Sequence, residues 1–156
     1  MKRIFFKNYP MTQFSKKVEI RWADLDPNFH VLHSKYYDFG AYCRMAFLVE
    51  QGLTPAVMQQ YNIGPILFRE ECNFKREITF GDEIEINVIL KKRSSDYSRW
   101  SMVHEIWKSK EILSAVINID GAWIDTQKRK LALPPKVVSK IFDEIPKGTD
   151  FFIYTK

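Results

Sequence analysis

Residues 21–37 combine side chains that could carry out acyl chemistry. They include two aspartates, Asp24 and Asp26, and two histidines, His30 and His33, directly before a long apolar stretch. A carboxylate at such a place could serve as a general base or as a nucleophile. The first amides of a helix would add unpaired N–H groups and a positive dipole end, which suit a developing oxyanion. The segment therefore predicts an acyl-transfer site at a helix N-terminus.

The same residues also have structural interpretations. Asp26-Pro-Asn is good turn chemistry, and aspartate often only accepts hydrogen bonds from nearby backbone. His30 could act in proton transfer, position a substrate or make a structural hydrogen bond, and His33 could pack or cap at the helix entry. A metal site with Asp26 as third ligand is not expected, because an i, i+3 histidine pair in a loop without cysteine is a weak ligand set.

The apolar stretch predicts a long buried helix over residues 34–51. Apolar side chains recur on nearly every face of this helix, which is typical of a helix inside a protein rather than on its surface. Ser34 is a suitable N-cap and Gly52 a suitable residue after the C-terminus. Tyr36 near its start could line an acyl pocket or pack in the core. Asp26 would then stand at the entrance of a buried element.

The remainder of the chain predicts mainly antiparallel strands. Alternation of apolar and polar residues gives a first strand over 17–22, and Lys91 to Asp96 reads as a polar connection between two later strands. One long helix followed by a strand meander predicts an α+β domain in which the sheet wraps around the helix. The other predicted elements are a short helix over 54–60 that ends at Gly64-Pro65, strands over 66–74, 84–90, 97–107 and 112–124, and a short helix from 134 to 144.

Composition places the chain among ordinary globular proteins. Its 156 residues suggest one domain, over residues 1–156 with a core at about 14–136. The net charge of +5 is compatible with nucleic acid and equally with a phosphate-bearing small molecule. Cys43 and Cys72 have no CxxC partner, so free thiols are expected. Residues 1–7 do not lead into a secretory signal, and no apolar run is long enough to cross a membrane, so we expect a cytoplasmic location.

The motif at residues 21–36 resembles that of hotdog-fold acyl-CoA thioesterases of the 4-hydroxybenzoyl-CoA thioesterase-like group. That group carries a pattern close to R-x-x-D-x-D-x-x-G-H-V-N-N-x-x-Y, then a helix with an arginine. The similarity runs over about residues 14–136 and includes the later segment Gly81-Asp-Glu-Ile-Glu-Ile86. Phe29 replaces the glycine of the pattern, Leu32 and His33 replace its asparagines, and Ala41 stands where a glutamate is frequent. The matching residues are Arg21, Asp24, Asp26, His30, Val31, Tyr36 and Arg44.

The resemblance implies a hotdog fold and hydrolysis of an acyl-CoA thioester to a carboxylate and free coenzyme A. Asp26 would be the base or nucleophile, and backbone N–H groups near His33 and Ser34 would polarise the carbonyl. No cofactor is implied beyond the coenzyme A of the substrate. A homodimer or a dimer of dimers is implied, because hotdog relatives place their sites between subunits. Substrate contacts are expected from His30 and Tyr36, and the resemblance implies phosphate contacts by Lys91, Lys92, Arg93 and Arg99. A solvated hairpin would carry the same four cations.

Two other functions stay open from the sequence. Asp26-Pro-Asn-Phe-His30 is close to the D-x-N-P-aliphatic-H motif of hotdog enoyl-CoA hydratases, although the proline is displaced and the spacing is one residue short. A basic, aromatic-rich module that binds an acyl carrier or nucleic acid without turnover is the third possibility. Most aromatic residues follow core periodicity, which argues against nucleic acid as the partner.

Overall fold

A computed structural model describes residues 14–155 of the chain. Residues 1–7, for which the sequence predicts no signal peptide, lie outside the described part. No helix in the described part is long and apolar enough to span a bilayer. The elements, in chain order, are β1 (Ser15–Val18), a 3-10 turn (Trp22–Asp24), α1 (Lys35–Glu50), α2 (Pro55–Gln60), β2 (Ile63–Phe74), β3 (Ile84–Asn87), β4 (Ile89–Ser94), β5 (Arg99–Lys108), β6 (Ile112–Asp125), β7 (Lys130–Leu131), α3 (Lys136–Asp143) and β8 (Lys147–Tyr154).

Helix α1 forms where the apolar stretch predicts it. Ser34 occupies the N-cap position, but its hydroxyl makes no capping hydrogen bond. Gly52 follows the helix at a φ of 95°, a conformation that glycine adopts without a side-chain clash. Thr54 caps α2 by accepting a hydrogen bond from the amide of Val57, with Pro55 at the first helical position. The end of α1 and the start of α2 therefore follow from local sequence, whereas the capping hydrogen bond expected from Ser34 is not observed.

The eight strands form one sheet, antiparallel except where β8 joins it. β3 and β4 follow each other along one side of β5, and β6 lies along the other side of β5. β1 continues the sheet beyond β3, and β8 lies parallel to β4. At the opposite end, β2 pairs with β6 over its whole length and has no strand on its other side among the described residues. β2 is therefore a long open edge.

The core lies between the inner face of this sheet and α1. Tyr36, Phe39, Cys43 and Phe47 of α1 are buried, together with isoleucines of β3, β5 and β6. An antiparallel sheet wrapped around one central helix is the α+β hotdog fold expected from the sequence. The buried residues of α1 recur at the spacing of a single helical stripe, whereas Tyr42 and Val49 are 52% and 42% exposed, so the expected burial of nearly every face of this helix is not observed.

The first predicted strand is shorter than expected. β1 ends at Val18, and residues 22–24 form a 3-10 turn instead of continuing the strand to Trp22. The carboxylate of Asp24 accepts hydrogen bonds from the backbone and the guanidinium of Arg21, which closes this turn. A local side chain to backbone bond of this kind competes with strand pairing.

Three further boundaries differ from the prediction. Gly64-Pro65 does not interrupt the chain but lies inside β2, because an edge strand tolerates a proline that lacks an N–H. Residues 91–94 belong to β4, so the polar connection is only residues 95–98. β7 and β8 were not predicted from the sequence. β8 pairs with β4 across more than fifty residues of chain, and no local pattern indicates such a contact.

Candidate active site

The loop between the 3-10 turn and α1 holds Asp26 in a fixed position. One carboxylate oxygen of Asp26, Oδ1, accepts hydrogen bonds from the amides of Asn28 at 2.8 Å and His30 at 3.2 Å. The Asp26 amide donates to the carbonyl of His30 at 2.8 Å, and the amide of Val31 donates to the carbonyl of Ile78. The predicted turn chemistry of Asp26 is therefore present. It uses only Oδ1, and Oδ2 accepts no hydrogen bond from the part of the chain that the structure describes.

The start of α1 supplies amides without partners. The amides of His33 and Ser34 have no protein acceptor within residues 14–155. The next amide, that of Lys35, donates to the carbonyl of Leu32 at 2.9 Å. His33 and Ser34 are both exposed. Free N–H groups at a helix N-terminus carry a partial positive charge. They can therefore donate to an oxyanion.

Asp26 and the helix start line one open groove. The structure brings together four of the predicted site residues there. The groove also contains the basic pair Lys75 and Arg76, which follows β2 and was not predicted as part of the site. The signal for this pair in the sequence is two cations directly after a strand end. The lining residues are Asp26, His30, Val31, His33, Tyr36, Phe74, Lys75, Arg76 and Glu77.

His30 and His33 lie at the exposed rim of this groove, whereas Tyr36 is buried at its base. The ring of Tyr36 packs edge-on against Phe74 with ring centroids 4.9 Å apart. Burial raises the pKa of the Tyr36 hydroxyl to about 12, so this group stays protonated at neutral pH. Tyr36 therefore packs in the core and also lines the groove.

Asp24 is buried beside the groove and has a structural partner. Arg21 donates two guanidinium hydrogen bonds to its carboxylate, the shorter at 2.7 Å, and Lys35 lies 4.0 Å away. Hydrogen bonding by Arg21 lowers the pKa of Asp24 from its usual value. Asp24 is therefore paired with Arg21. Asp24 stays charged and closes the 3-10 turn two residues before Asp26.

Arg44 of α1 belongs to a buried polar cluster. Its guanidinium Nη1 lies 3.1 Å from Nε2 of His104 and 3.6 Å from a carboxylate oxygen of Glu70. Nδ1 of His104 lies 2.6 Å from the carbonyl of Asn87, so Nδ1 carries the proton and Nε2 accepts from Arg44. Burial lowers the pKa of His104 to about 3 and also lowers the pKa of Arg44. Glu70 of β2 is therefore ion-paired with Arg44 of α1.

Phe29 has an unusual backbone conformation. It stands where the resembling family carries glycine, and its φ of 63° is in the left-handed region. Its ring is 65% exposed and lies near Trp22, which also contacts Phe80. The loop therefore keeps the geometry that glycine would give, and a phenylalanine adopts it at a cost of about 1–2 kcal/mol.

The predicted phosphate-binding cations lie elsewhere in the fold. Lys91, Lys92 and Arg93 are on β4, and Arg99 begins β5 with its guanidinium 5.5 Å from the ring centre of Phe68. Arg93 is buried rather than exposed on a connection. Its guanidinium donates to Tyr97 at 2.9 Å and to Asp143 of α3 at 3.3 Å. These contacts occupy Arg93 within its own subunit.

No group of three or more His, Cys, Asp or Glu residues suited to a metal occurs within residues 14–155. Cys43 is buried and Cys72 is half-buried, and both are free thiols as predicted. Burial raises the pKa of Cys43 to about 12, so its thiolate is not available near neutral pH. The titratable side chains that line the groove are those of Asp26, His30, His33, Tyr36, Lys75, Arg76 and Glu77.

Comparison with known proteins identifies the family that this fold represents. A family model described as the thioesterase-like superfamily matches residues 20–142. This segment contains the whole Asp26 loop, α1 and strands β2 to β7, and it ends within α3. No curated protein matches the sequence.

Solved structures share the fold at low sequence identity. A hypothetical protein from Staphylococcus aureus, solved in complex with CoA, is 16% identical with a TM-score of 0.77, and the match covers 88% of each chain. A 1,4-dihydroxy-2-naphthoyl-CoA thioesterase from Synechocystis is 17% identical with a TM-score of 0.75, covering 85% of this chain and 96% of that one. A hypothetical protein from Aquifex aeolicus is 20% identical with a TM-score of 0.75, covering 82% and 98%.

Proposed function

The chain belongs to the thioesterase-like superfamily, and we propose that it hydrolyses an acyl-CoA thioester with Asp26 as the catalytic carboxylate. The family predicted from the sequence is thereby confirmed. One observation supports the site assignment above all others. Asp26 and His33 line the same groove, and the amides of His33 and of the adjoining Ser34 at the start of α1 have no acceptor within residues 14–155.

The proposed chemistry uses the free oxygen of Asp26. In one form of the reaction, Oδ2 accepts a proton from water as the water oxygen attacks the thioester carbonyl carbon. In the other, Oδ2 attacks that carbon itself and forms a mixed anhydride, which water then hydrolyses. In both, the C–S bond breaks, coenzyme A leaves as its thiol after taking up a proton, and the acyl group leaves as a carboxylate. Oδ1 stays bound to the loop amides and keeps the carboxylate oriented.

The helix start would stabilise the tetrahedral intermediate. Negative charge develops on the thioester carbonyl oxygen, and the amides of His33 and Ser34 can donate to it from a fixed helix terminus. His30 at the rim of the groove would position the substrate. No group in this scheme requires a metal or a redox cofactor.

Coenzyme A also carries phosphates, which need cationic donors. Lys75 and Arg76 are exposed and line the Asp26 groove, so we propose them as contacts for the phosphates or the pantetheine arm. Lys91, Lys92 and Arg99 from the sequence prediction remain candidates, because a second copy of the chain could bring them near the groove. Arg93 is the least suited, since Asp143 and Tyr97 already bind its guanidinium.

We propose a homodimer that forms through β2. This strand exposes one whole edge, and three of its large apolar side chains are exposed, namely Leu67, Phe68 and Phe74. An open edge of this length with apolar side chains is a pairing surface. Two copies of β2 in antiparallel register would cover it. We also propose a cytoplasmic location.

The decisive test is release of free thiol from a panel of acyl-CoA substrates by wild type and Asp26→Asn. Loss of the base or nucleophile should lower turnover by about 100-fold or more. The amide can still accept from Asn28 and His30, so the loop should stay folded. Asp38→Asn is the matched control, because Asp38 lies in the first turn of α1 with a largely exposed side chain, and this variant should keep wild-type turnover. Undiminished turnover in a folded Asp26→Asn protein would show that Asp26 only stabilises the turn and has no catalytic role.

A further inference from the structure

The Asp26 groove is built on a small antiparallel sheet of three short segments. Residues 25–26 lie antiparallel to residues 30–31, which in turn lie antiparallel to residues 78–79 of the connection between β2 and β3. Both pairs are joined by a backbone hydrogen bond of 2.8 Å. Neighbouring strands lie about 4.8 Å apart, so the backbone of the first segment is about 10 Å from that of the third.

The two faces of this small sheet differ in polarity. Its apolar face packs on the core and consists of Leu25, Val31 and Ile78. The other face carries Asp26 and His30, because successive side chains of a strand point to opposite faces. Glu77 lies on this second face as well, since it precedes Thr79, the bridge partner of His30, by two residues. Asp26 and Glu77 therefore both line the groove, from opposite edges of one sheet.

The backbone of Glu77 is held in place, whereas its carboxylate is free. The Lys108 ammonium of β5 donates to the Glu77 carbonyl at 3.1 Å. Two residues later, the amide of Thr79 donates to the carboxylate of Asp82 at 2.8 Å. The Glu77 carboxylate accepts no hydrogen bond and forms no ion pair in the part of the chain that the structure describes. A cationic partner would stabilise the charged form of a carboxylate and weaken it as a base, and Glu77 has no such partner there.

Tyr36 at the base of the groove senses both carboxylates. Burial raises the pKa of its hydroxyl to about 12, and the negative charges of Glu77 and Asp26 both add to this rise. An effect on one hydroxyl requires that both carboxylates lie near it. Asp26 and Glu77 therefore act on the same part of the groove, although they come from different segments of the chain.

The nucleophilic form of the proposed reaction needs a second base. Oδ1 of Asp26 accepts from the loop amides, and Oδ2 becomes part of the mixed anhydride, so Asp26 cannot also activate the water that hydrolyses it. His30 is the neighbour of Asp26 in the small sheet, and an acyl group attached to Asp26 would cover it. Water then reaches the acyl carbon from the opposite edge, where Glu77 lies.

Building on the proposed thioesterase function in its nucleophilic form, we infer that Glu77 is the base that hydrolyses the acyl-enzyme. Glu77 accepts a proton from water, the water oxygen bonds to the acyl carbon, and the bond between that carbon and Oδ2 of Asp26 breaks. The acyl group leaves as a carboxylic acid, which ionises, and Asp26 regains its carboxylate. Glu77 passes its proton to solvent. Two carboxylates thus divide the two steps of the reaction between them.

Glu77→Gln separates the two steps, because it keeps the shape of the side chain and removes the base. We expect kcat for acyl-CoA hydrolysis to fall about 100-fold, while the first turnover stays fast. Rapid mixing with acyl-CoA should therefore give a burst of about one thiol per chain. Mass spectrometry of the intact, acid-quenched protein should show one added acyl group. A variant that combines Asp26→Asn with Glu77→Gln should show neither the burst nor the added mass.

Glu83→Gln is the matched control, because Glu83 is an exposed glutamate of the same connection that does not line the groove, and this variant should keep the wild-type kcat. An undiminished kcat in Glu77→Gln, or a lower kcat without burst and added mass, would overturn the inference. Added mass in His30→Gln, with normal turnover in Glu77→Gln, would give the role of base to His30. These outcomes leave the proposed function intact if Asp26→Asn abolishes turnover, whereas undiminished turnover in Asp26→Asn would refute the catalytic role of Asp26 itself.

Discussion

Arg44 of α1 and His104 of β5 lie 3.1 Å apart inside the protein, with the guanidinium donating to a neutral imidazole. His104 has no access to solvent. A positive imidazole at this place would face the Arg44 charge directly and would lose its acceptor role. Gly40 makes room for the pair, since a Cβ there would lie only 3.2 Å from the His104 ring. The pair ties the central helix to the sheet, and its protonation state has a consequence for stability.

We expect His104 to make the fold sensitive to mild acid. Its folded pKa of about 3 lies below the ordinary value of 6.5, so its contribution is fully present above pH 6.5 and decreases as the pH falls from 6.5 toward 3. One such group lowers the free energy of unfolding by up to about 1.4 kcal/mol per pH unit. Urea unfolding between pH 7 and pH 5 measures this slope, and His104→Gln should flatten it.

The control for this measurement is His30→Gln, which removes an exposed imidazole and should keep the wild-type slope. The comparison uses the slope rather than the absolute stability, because His104→Gln disturbs a buried site. Equal slopes in wild type and His104→Gln would show that another group sets the acid sensitivity.

Lys75 and Arg76 should act on substrate binding rather than on the chemical step. Changing both to alanine removes two cations from the Asp26 groove, and we expect KM for acyl-CoA to rise about tenfold with kcat nearly constant. The effect should shrink at high salt, because exposed charges are screened. Steady-state thiol release at two ionic strengths measures both effects.

Lys91→Ala with Lys92→Ala tests the cations predicted from sequence in the same assay. If KM rises only in this second double variant, the phosphates are bound by Lys91 and Lys92 of β4 rather than by Lys75 and Arg76. Lys128→Ala, an exposed cation on the turn between β6 and β7, should leave both constants unchanged.

Phe29→Gly should stabilise the protein. Glycine adopts the φ of 63° without the side-chain clash that phenylalanine meets, which should add about 1 kcal/mol to the free energy of unfolding. The ring is largely exposed, so little apolar burial is lost. Phe29→Ala is the matched control, since it removes the ring but keeps a Cβ in the left-handed conformation. Urea unfolding of both variants isolates the backbone contribution, which is refuted if the glycine variant is no more stable than the alanine variant.

Leu67→Lys should dissociate the proposed dimer. The side chain is 40% exposed on the open edge strand, and a charge there opposes burial of that edge against a second copy. Sedimentation velocity should show a dimer for wild type and a monomer for the variant. Ile112→Lys, a similarly exposed apolar residue at the start of β6, should remain dimeric. A Leu67→Lys protein that sediments with wild type would place the subunit interface elsewhere.

The sequence by itself determined the local features of the protein. The limits of α1, the cap at Thr54, the glycine turn after α1 and the position of Asp26 before the helix all depend on residues close together in the chain. The motif around Asp26 also identified the family, because its residue types and spacing lie within one loop and helix start.

Only the tertiary structure decided which distant residues meet. Lys75 and Arg76 line the groove because β2 ends beside the Asp26 loop. Arg93 is not free to bind a phosphate because Asp143 of α3 accepts a hydrogen bond from its guanidinium. The pairing of β8 with β4 and the buried Arg44–His104–Glu70 cluster depend on contacts between elements far apart in sequence. Local patterns specify the period and ends of an element, whereas the packing of separate elements depends on the fit of whole surfaces.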